Sequence, residues 1–504
     1  MYQKLLKTVT NLGSPTVLLV GDFMLDSYVY GDALRISPEA PVPVLKVVKR
    51  EFSCGGAGSV AADLAALGAK PVCLGIIGND ANGVMLTKML TAAGADVANL
   101  MIVEDRPTIS KQRLIGLAQH RHRQQLMRID EEVADPLEQK YCDEFIRIFN
   151  SKLPTADIVC LQDYNKGVLS AVLCGELIKL ARAAGKKVLV DPAPIADYSK
   201  YTGATLITPN RTETSLAVGF AIETLDKARE AADVLTQCLK LDAAVITLDK
   251  EGAWLKTDSL SQLVPTVPRT VYDVTGAGDV VLATLAVTLA AGCDYVTAVQ
   301  IANIAGGIEV EKFGVATVTV DEMVNEIIGQ NRGKAGKIRD IDSLLEELNW
   351  HRAQKDTVVF TNGCFDVLHR GHIEYLHFCK SQGNIVVVGL NSDSSIKQIK
   401  GPDRPINNQH DRAAVLAALE SVAYVVIFEE PDPLELIKKV RPDVLVKGED
   451  WAVKGVVGRE FVESYGGKVV LAKLVDGKSS TATIEKMKAL EKSPDVKQGH
   501  IPRP

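Results

Sequence analysis

A basic excess, paired cysteines and long apolar runs are all missing from this chain. The formal net charge is −6, which leaves no electrostatic footprint for nucleic acid. The nine cysteines are an odd number, lie scattered, and never form C-x-x-C. That argues against a disulfide framework or a zinc ribbon and for a reducing compartment. No stretch reaches the ~20 apolar residues that cross a bilayer. The longest mainly apolar one, 280–291, falls well short. The apolar run 17–20 ends at Gly21-Asp22 and does not read as a signal peptide. These absences lead to an expectation of a soluble cytoplasmic protein with no membrane insertion. What is present is ordinary globular composition, 46% hydrophobic and 24% charged, over 504 residues. That length has room for roughly three domains.

One stretch in the last third carries clear chemistry: Thr361-Asn362-Gly363-Cys364-Phe365-Asp366-Val367-Leu368-His369-Arg370-Gly371-His372. An apolar run precedes it and a helical pattern over 373–378 follows, so it reads as strand, turn and helix start. Free N–H groups at a helix start favour an anion. Imidazoles beside them can donate to a phosphate whose charge rises in a transition state. Gly371 lets that phosphate approach the backbone. The chemistry suited to such a site is phosphoryl or nucleotidyl transfer. No third His, Cys or carboxylate stands at ligand spacing, so no resident metal is expected there.

The first two thirds alternate strand and helix. Strands are expected over 16–20, 71–78, 157–161, 187–190 and 205–208, and helices over 60–67, 81–93 and 171–184. Alternation of this kind predicts an α/β fold with a mostly parallel sheet. Asp22 and Asp26 follow the first strand, where ligands bind in such sheets. The segment 41–50 is β-rich and proline-bounded, which suits an edge strand. The segment 108–130 breaks the rhythm with Lys111, Arg113, His120, Arg121, His122, Arg123 and Arg128. It reads as a β-hairpin with a basic, solvated tip. Lys111, Arg113 or Arg128 can reach a sugar phosphate, and spacing does not choose among them.

The strongest signal in this half is Val271-Tyr272-Asp273-Val274-Thr275-Gly276-Ala277-Gly278-Asp279, followed by a helical run over 280–290. Gly276 and Gly278 allow backbone N–H groups to close around an anion. Asp279 then sits beside that anion as a base for an attacking hydroxyl.

These residues carry a resemblance. D-x-T-G-A-G-D resembles the signature of ribokinase-family sugar kinases. The resemblance implies that Asp279 is the catalytic base and that Gly276, Ala277 and Gly278 form the anion hole. It implies sugar contacts at Asp26, Gly55 and Gly56. It also implies Mg·ATP placement by Asn210, Arg211, Thr212 and Glu213. Where that family usually has an asparagine after Gly-Gly, this chain has Ser59 or Val60.

H-x-G-H with its T-N-G-x-F-D lead-in resembles the cytidylyltransferase-like nucleotidyltransferases. That implies a role for His369 and His372 at the α-phosphate of a nucleoside triphosphate. Further matching elements are Asn391-Ser392-Asp393, the basic loop 400–405, Val446 to Asp450, and Ser479-Ser480-Thr481. They imply nucleotide or phosphate contacts at Gly363, Phe365, Gly371, Arg404, Lys447, Ser480 and Thr481. Ile484 stands where that family often ends its last motif in arginine.

The polar, glycine-rich and basic run 329–337 is the expected boundary. It gives domains at 1–330 and 357–504 with a linker at 331–356. Within that linker 340–349 reads as an acidic helix, and Asp340-x-Asp342 as its start rather than a phosphatase motif. The implied folds are a ribokinase-like domain with a small β lid and a Rossmann-like H-x-G-H nucleotidyltransferase domain. The order of the two, with 35–44 reading R-I-S-P-E-A-P-V-P-V, resembles the bacterial family of bifunctional heptose 7-phosphate kinase and heptose 1-phosphate adenylyltransferases. That family implies ATP and Mg²⁺ at both sites, a homodimer, and a separate heptose bisphosphate phosphatase as a working partner. Two alternatives stay open. One is the same fusion acting on another sugar phosphate or using CTP. The other is a nucleotide-sensing scaffold with decayed sites.

Overall fold

A computed structural model describes residues 2–117, 124–267, 269, 276–312 and 316–473; for 331–335 it describes the backbone alone. The chain divides into two compact units, Met1–Ile327 and Ile328–Pro504.

The first unit is built on a nine-stranded sheet. Its spatial order is Ser261–Val264, Ala253–Thr257, Ala243–Thr247, Leu206–Ile207, Lys187–Asp191, Ile158–Gln162, Thr16–Gly21, Lys70–Gly78 and Asp96–Val103. All pairings are parallel except the two at the Ser261–Val264 edge. The central strands are buried throughout, as continuous Val/Leu/Ile runs require when helices cover both faces. The chain order reverses between Thr16–Gly21 and Ile158–Gln162, so a ligand crevice opens at their carboxyl ends. The Ala277–Ala290 helix is apolar all round and buried over 279–289, as a core helix must be.

A second, four-stranded sheet has the order Pro43–Gly56, Phe23–Ile36, Ile109–Gly116 and Gln124–Glu131. This is the small β lid. The proline-bounded edge strand runs further than expected, to Gly56, because it pairs along the whole of Phe23–Ile36. That partner strand escaped the sequence reading: its residues are mostly buried, so no alternation shows. The basic segment forms the expected hairpin, Ile109–Gly116 against Gln124–Glu131. His120, Arg121, His122 and Arg123 lie outside the described residues.

The second unit is a five-stranded, fully parallel sheet ordered Tyr424–Phe428, Ile385–Asn391, Val358–Gly363, Val444–Gly448 and Lys468–Ala472. Here the order reverses beside Val358–Gly363. The run 329–337, read as a linker, is helical to Ala335 as part of Val320–Ala335. The segment after it belongs to the second unit. Ile338 bridges to Val425, and Leu344 and Leu348 of the Ile341–Ala353 helix pack with Phe360 and Val387. Arg339 Nε meets Glu347 Oε1 at 2.6 Å in a buried pair. Asp340 caps that helix through the Ser343 N–H, the helix-start role its sequence suggests.

Candidate active sites

In the first unit, Gly276 takes φ 101°, a conformation that favours glycine, and so opens the Ala277–Ala290 helix with its N–H groups free. Asp279 lies in the first turn and is 5% exposed. Gln162 Nε2 donates to its Oδ1 at 2.8 Å, and the Tyr164 hydroxyl at 3.3 Å. Ser59 is buried beside it. Burial, then the Asp191 charge, pushes Asp279 up to about 8. Asp191 accepts from Gln162 and from the Thr208 hydroxyl, and burial lifts it to about 6.

A cavity of about 560 Å³ joins Tyr164, Asp191, Thr208 and Asp279 to Asn210, Arg211, Thr212, Glu213, Gly276, Ala277 and Gly278. Asn210 and Glu213 form a reciprocal capping box, with bonds of 2.8 and 2.9 Å. Burial, then the Asp191 charge, raises Glu213 to about 7. Arg211 pairs with Asp249 and Glu251 at the rim.

Asp26 sits on the lid. Arg113 pairs with it at 2.6 Å, and the strand register places Lys111 directly opposite. Gly55 is demanded by close approach: a Cβ there would fall 2.6 Å from Asp26 Oδ2. Gly56 follows it as N-cap of the Ala57–Ala66 helix. Of the three basic candidates, Arg113 is spent on Asp26 and Arg128 on Asp130, the latter through bonds of 2.9 and 2.8 Å. Lys111 stands over the Tyr164 ring at 5.3 Å, and burial, opposed by the Asp26 charge, lowers its pKa. Among the described residues it has no carboxylate within ion-pair distance. Sequence reasoning missed Gln162, Tyr164 and Asp191. Asp22 accepts from the N–H groups of Tyr164 and Lys166 and so ties the Tyr164 loop to the first strand.

In the second unit, His369 caps the Arg370–Ser381 helix, with Gly371 in its first turn. The two imidazoles stack at 3.9 Å between centroids. The His369 N–H points at His372 Nδ1 at 3.4 Å, which leaves the His372 proton on Nε2, facing away. Burial, helped by His369 and Lys400, pushes His372 down to about 4, so it is neutral near pH 7 and can donate from Nε2. Phe365 takes φ 43°, with its ring 5.3 Å from His372 and against Gly363.

Lys447 ends the neighbouring strand, 3.3 Å from the Asn362 carbonyl and 5.0 Å over the Trp451 ring. Burial lowers it to about 8. Arg404 pairs with Asp366: its Nε donates to Oδ2 at 2.7 Å, and its Nη2 lies 2.7 Å from the same oxygen as an ion-pair contact. Ser480 and Thr481 lie outside the described residues. No group of three or more His, Cys, Asp or Glu among the described residues is arranged to hold a metal.

Residues 14–322 match the pfkB family of carbohydrate kinases, and 360–496 match the cytidylyltransferase-like family. The chain is 45% identical to the bifunctional protein HldE of Mesorhizobium japonicum, over 96% of this chain and 97% of that one. It is 42% identical to the HldE protein of Geobacter metallireducens, over 93% and 95% respectively. Among solved structures, phosphofructokinase-2 from Escherichia coli in complex with potassium aligns with a TM-score of 0.52 at 20% identity, over 63% of this chain and all of that one. Arabidopsis thaliana ribokinase complexed with ribose and ATP aligns at 0.50 and 19% identity, over 62% and 99%. Those two likenesses speak for the fold of the first unit. Together, the two family matches and the full-length relatives place the chain in the family of bifunctional HldE proteins, enzymes that join a pfkB carbohydrate kinase to a cytidylyltransferase-like nucleotidyltransferase.

Proposed function

We propose that the first unit phosphorylates D-glycero-β-D-manno-heptose 7-phosphate at O1 with ATP. The second unit then transfers adenylate from ATP to heptose 1-phosphate, giving ADP-heptose and pyrophosphate for the inner core of lipopolysaccharide. The observation that carries this reading is a pair of helix starts in one chain, each holding its own proton-handling side chains: Asp279 in one, His369 and His372 in the other.

At the first, Asp279 takes the O1 proton as O1 attacks the γ-phosphorus and the bond to the ADP oxygen breaks. The N–H groups after Gly276 hold the transferred phosphoryl group. Asn210 to Glu213 face ATP across the cavity. Magnesium arrives with ATP. Glu213, raised by burial and then by the Asp191 charge, is the residue that would hold it, and the ion would supply charge screening to the triphosphate. Asp26, Gly55 and Gly56 support the sugar, and Lys111, for which no ion pair occurs among the described residues, takes its distal phosphate. At the second site a phosphate oxygen of heptose 1-phosphate attacks the α-phosphorus and pyrophosphate leaves. His369 and His372 donate to the α-phosphate, while Lys447, Ser480 and Thr481 serve the triphosphate tail.

The kinase product carries phosphates at C1 and C7, and the second reaction takes only the C1 phosphate. A separate bisphosphate phosphatase therefore acts between them. Free cysteines throughout support a reducing, cytoplasmic setting. Exposed apolar side chains on the lid, among them Ile36, Val48, Phe52 and Met127, support a homodimer, which light scattering would test. The reading as a whole is tested by mass spectrometry of products from ATP, Mg²⁺ and a panel of sugar phosphates. Heptose 7-phosphate should give the 1,7-bisphosphate and, only with added phosphatase, abundant ADP-heptose. Efficient turnover of a different sugar phosphate, or of CTP in place of ATP, would favour the alternative fusion.

A further inference from the structure

The turn that delivers His369 and His372 is strained. Phe365, a bulky residue, sits in left-handed backbone at φ 43°, and its ring lies against His372. Such a conformation persists only where the surroundings hold it. Two buried charged side chains do so, and neither belongs to the H-x-G-H signature.

Asp366 is 3% exposed. Its Oδ2 accepts from Arg404, and its Oδ1 accepts the N–H groups of Ile406 and Asn407 at 2.8 and 3.0 Å. Its carbonyl accepts from Asn407 Nδ2 at 2.7 Å. Arg412 is 2% exposed and reaches the same turn at Cys364. It donates to the Cys364 carbonyl at 2.7 Å, the Asn391 carbonyl at 2.9 Å, the Asn407 carbonyl at 2.9 Å and Asp393 Oδ1 at 2.7 Å. Residues on both sides of Phe365 are thus tied to one loop, 404–407, and to the end of the Ile385–Asn391 strand.

We propose that Asp366 and Arg412 are positioning residues for nucleotidyl transfer, clamping the strained Phe365 turn so that both imidazoles meet the α-phosphate. Arg404 belongs to this clamp through Asp366. The proposal rests on the reading of His369 and His372 as α-phosphate donors. A clamp of this kind acts on kcat. Loosening it misplaces donors whose alignment matters in the transition state, while ATP still binds.

The test uses the full chain. Pyrophosphate release from ATP and heptose 1-phosphate is measured for Asp366→Asn, Arg412→Met, Arg412→Lys and Arg404→Gln, with kinase rates on the same preparations. Asp366→Asn and Arg412→Met should lower kcat by roughly 10²-fold, the size of effect expected for a misplacement near 1 Å. The KM for ATP and the kinase rate should stay close to native values, and Arg412→Lys should recover part of the loss. Arg404→Gln should also act on kcat; a rise in the KM for ATP alone would make Arg404 a phosphate ligand and overturn its place in the clamp. Native kcat in Asp366→Asn and Arg412→Met, or an equal fall in the kinase, overturns the proposal. Should Asp366→Asn be insoluble, the Asp366→Asn/Arg404→Gln pair, which replaces the buried ions by two amides, is judged by the same criteria. His372→Ala runs alongside: if it keeps its rate, the histidine reading fails, whatever the clamp variants do.

Discussion

Asp191 and Asp279 share one hydrogen-bond donor, the Gln162 amide, which lies 2.8 Å from an oxygen of each. Burial disfavours the charge on each and holds both above the usual carboxylate range, the Asp191 charge adding to the effect at Asp279 and the Asp163 charge at Asp191. For Asp279 the outcome is a base poised near 8.

Kinase activity should therefore be limited by ionisation of that base. In the free enzyme, kcat/KM for the acceptor should rise from about pH 6 to about pH 9, with its midpoint near the Asp279 value. Asp191→Asn removes the like charge and should move the rising limb to lower pH. A flat profile, or a limb that moves up, would contradict the assignment of Asp279.

Asp279→Asn should stabilise the first unit while abolishing its activity. With its folded pKa raised, Asp279 supports folding fully below 3.8, and that support is lost as pH rises through about 8. Asparagine keeps the Oδ1 that Gln162 reaches and carries no charge. At and above pH 8, calorimetry should show an increase of ~2–4 °C in the melting temperature of this unit, the shift produced by about 1 kcal/mol. A lower melting temperature would mean that Asp279 is ionised without strain.

Lys111→Met should weaken the acceptor and spare ATP. Loss of one charge-assisted bond of about 1.5–3 kcal/mol predicts a rise of roughly 10- to 100-fold in the KM for heptose 7-phosphate. Arg128→Met should do little, because Arg128 is already engaged by Asp130. Steady-state kinetics with each variant distinguishes the two; equal effects would return the choice of cation to an open state.

Much of both sites was legible because the chemistry lies in contiguous motifs at strand ends. Gly276 to Asp279, Asn210 to Glu213 and His369 to His372 each contain their own turn, cap and reactive groups. Gln162 and Asp191 were not legible, because nothing local marks them. They meet only through the parallel register that sets Gly21 beside Gln162 and Gln162 beside Asp191. Arg404 was legible through the family resemblance of its loop, whereas its ion pair with Asp366, far away in sequence, was not. The 329–337 run shows a local feature that composition did not reveal. Its polar, glycine-rich composition suggested a domain boundary, yet a helix begun at Val320 continues through Gly329 and Gly333 to Ala335.

The central claim is that one chain holds two separate phosphate-transfer sites, and crossed inactivation tests it most directly. Asp279→Asn, His369→Ala and His372→Ala would each be assayed for ATP-dependent phosphorylation of heptose 7-phosphate and for pyrophosphate release with heptose 1-phosphate. Loss of the Asp279 base should lower the first reaction by roughly 10²–10⁴-fold and leave the second near native. Loss of either imidazole should do the reverse, by about 3–4 kcal/mol of transition-state stabilisation. A kinase within a few-fold of native in Asp279→Asn, or a native adenylyltransferase rate in either histidine variant, would contradict the account.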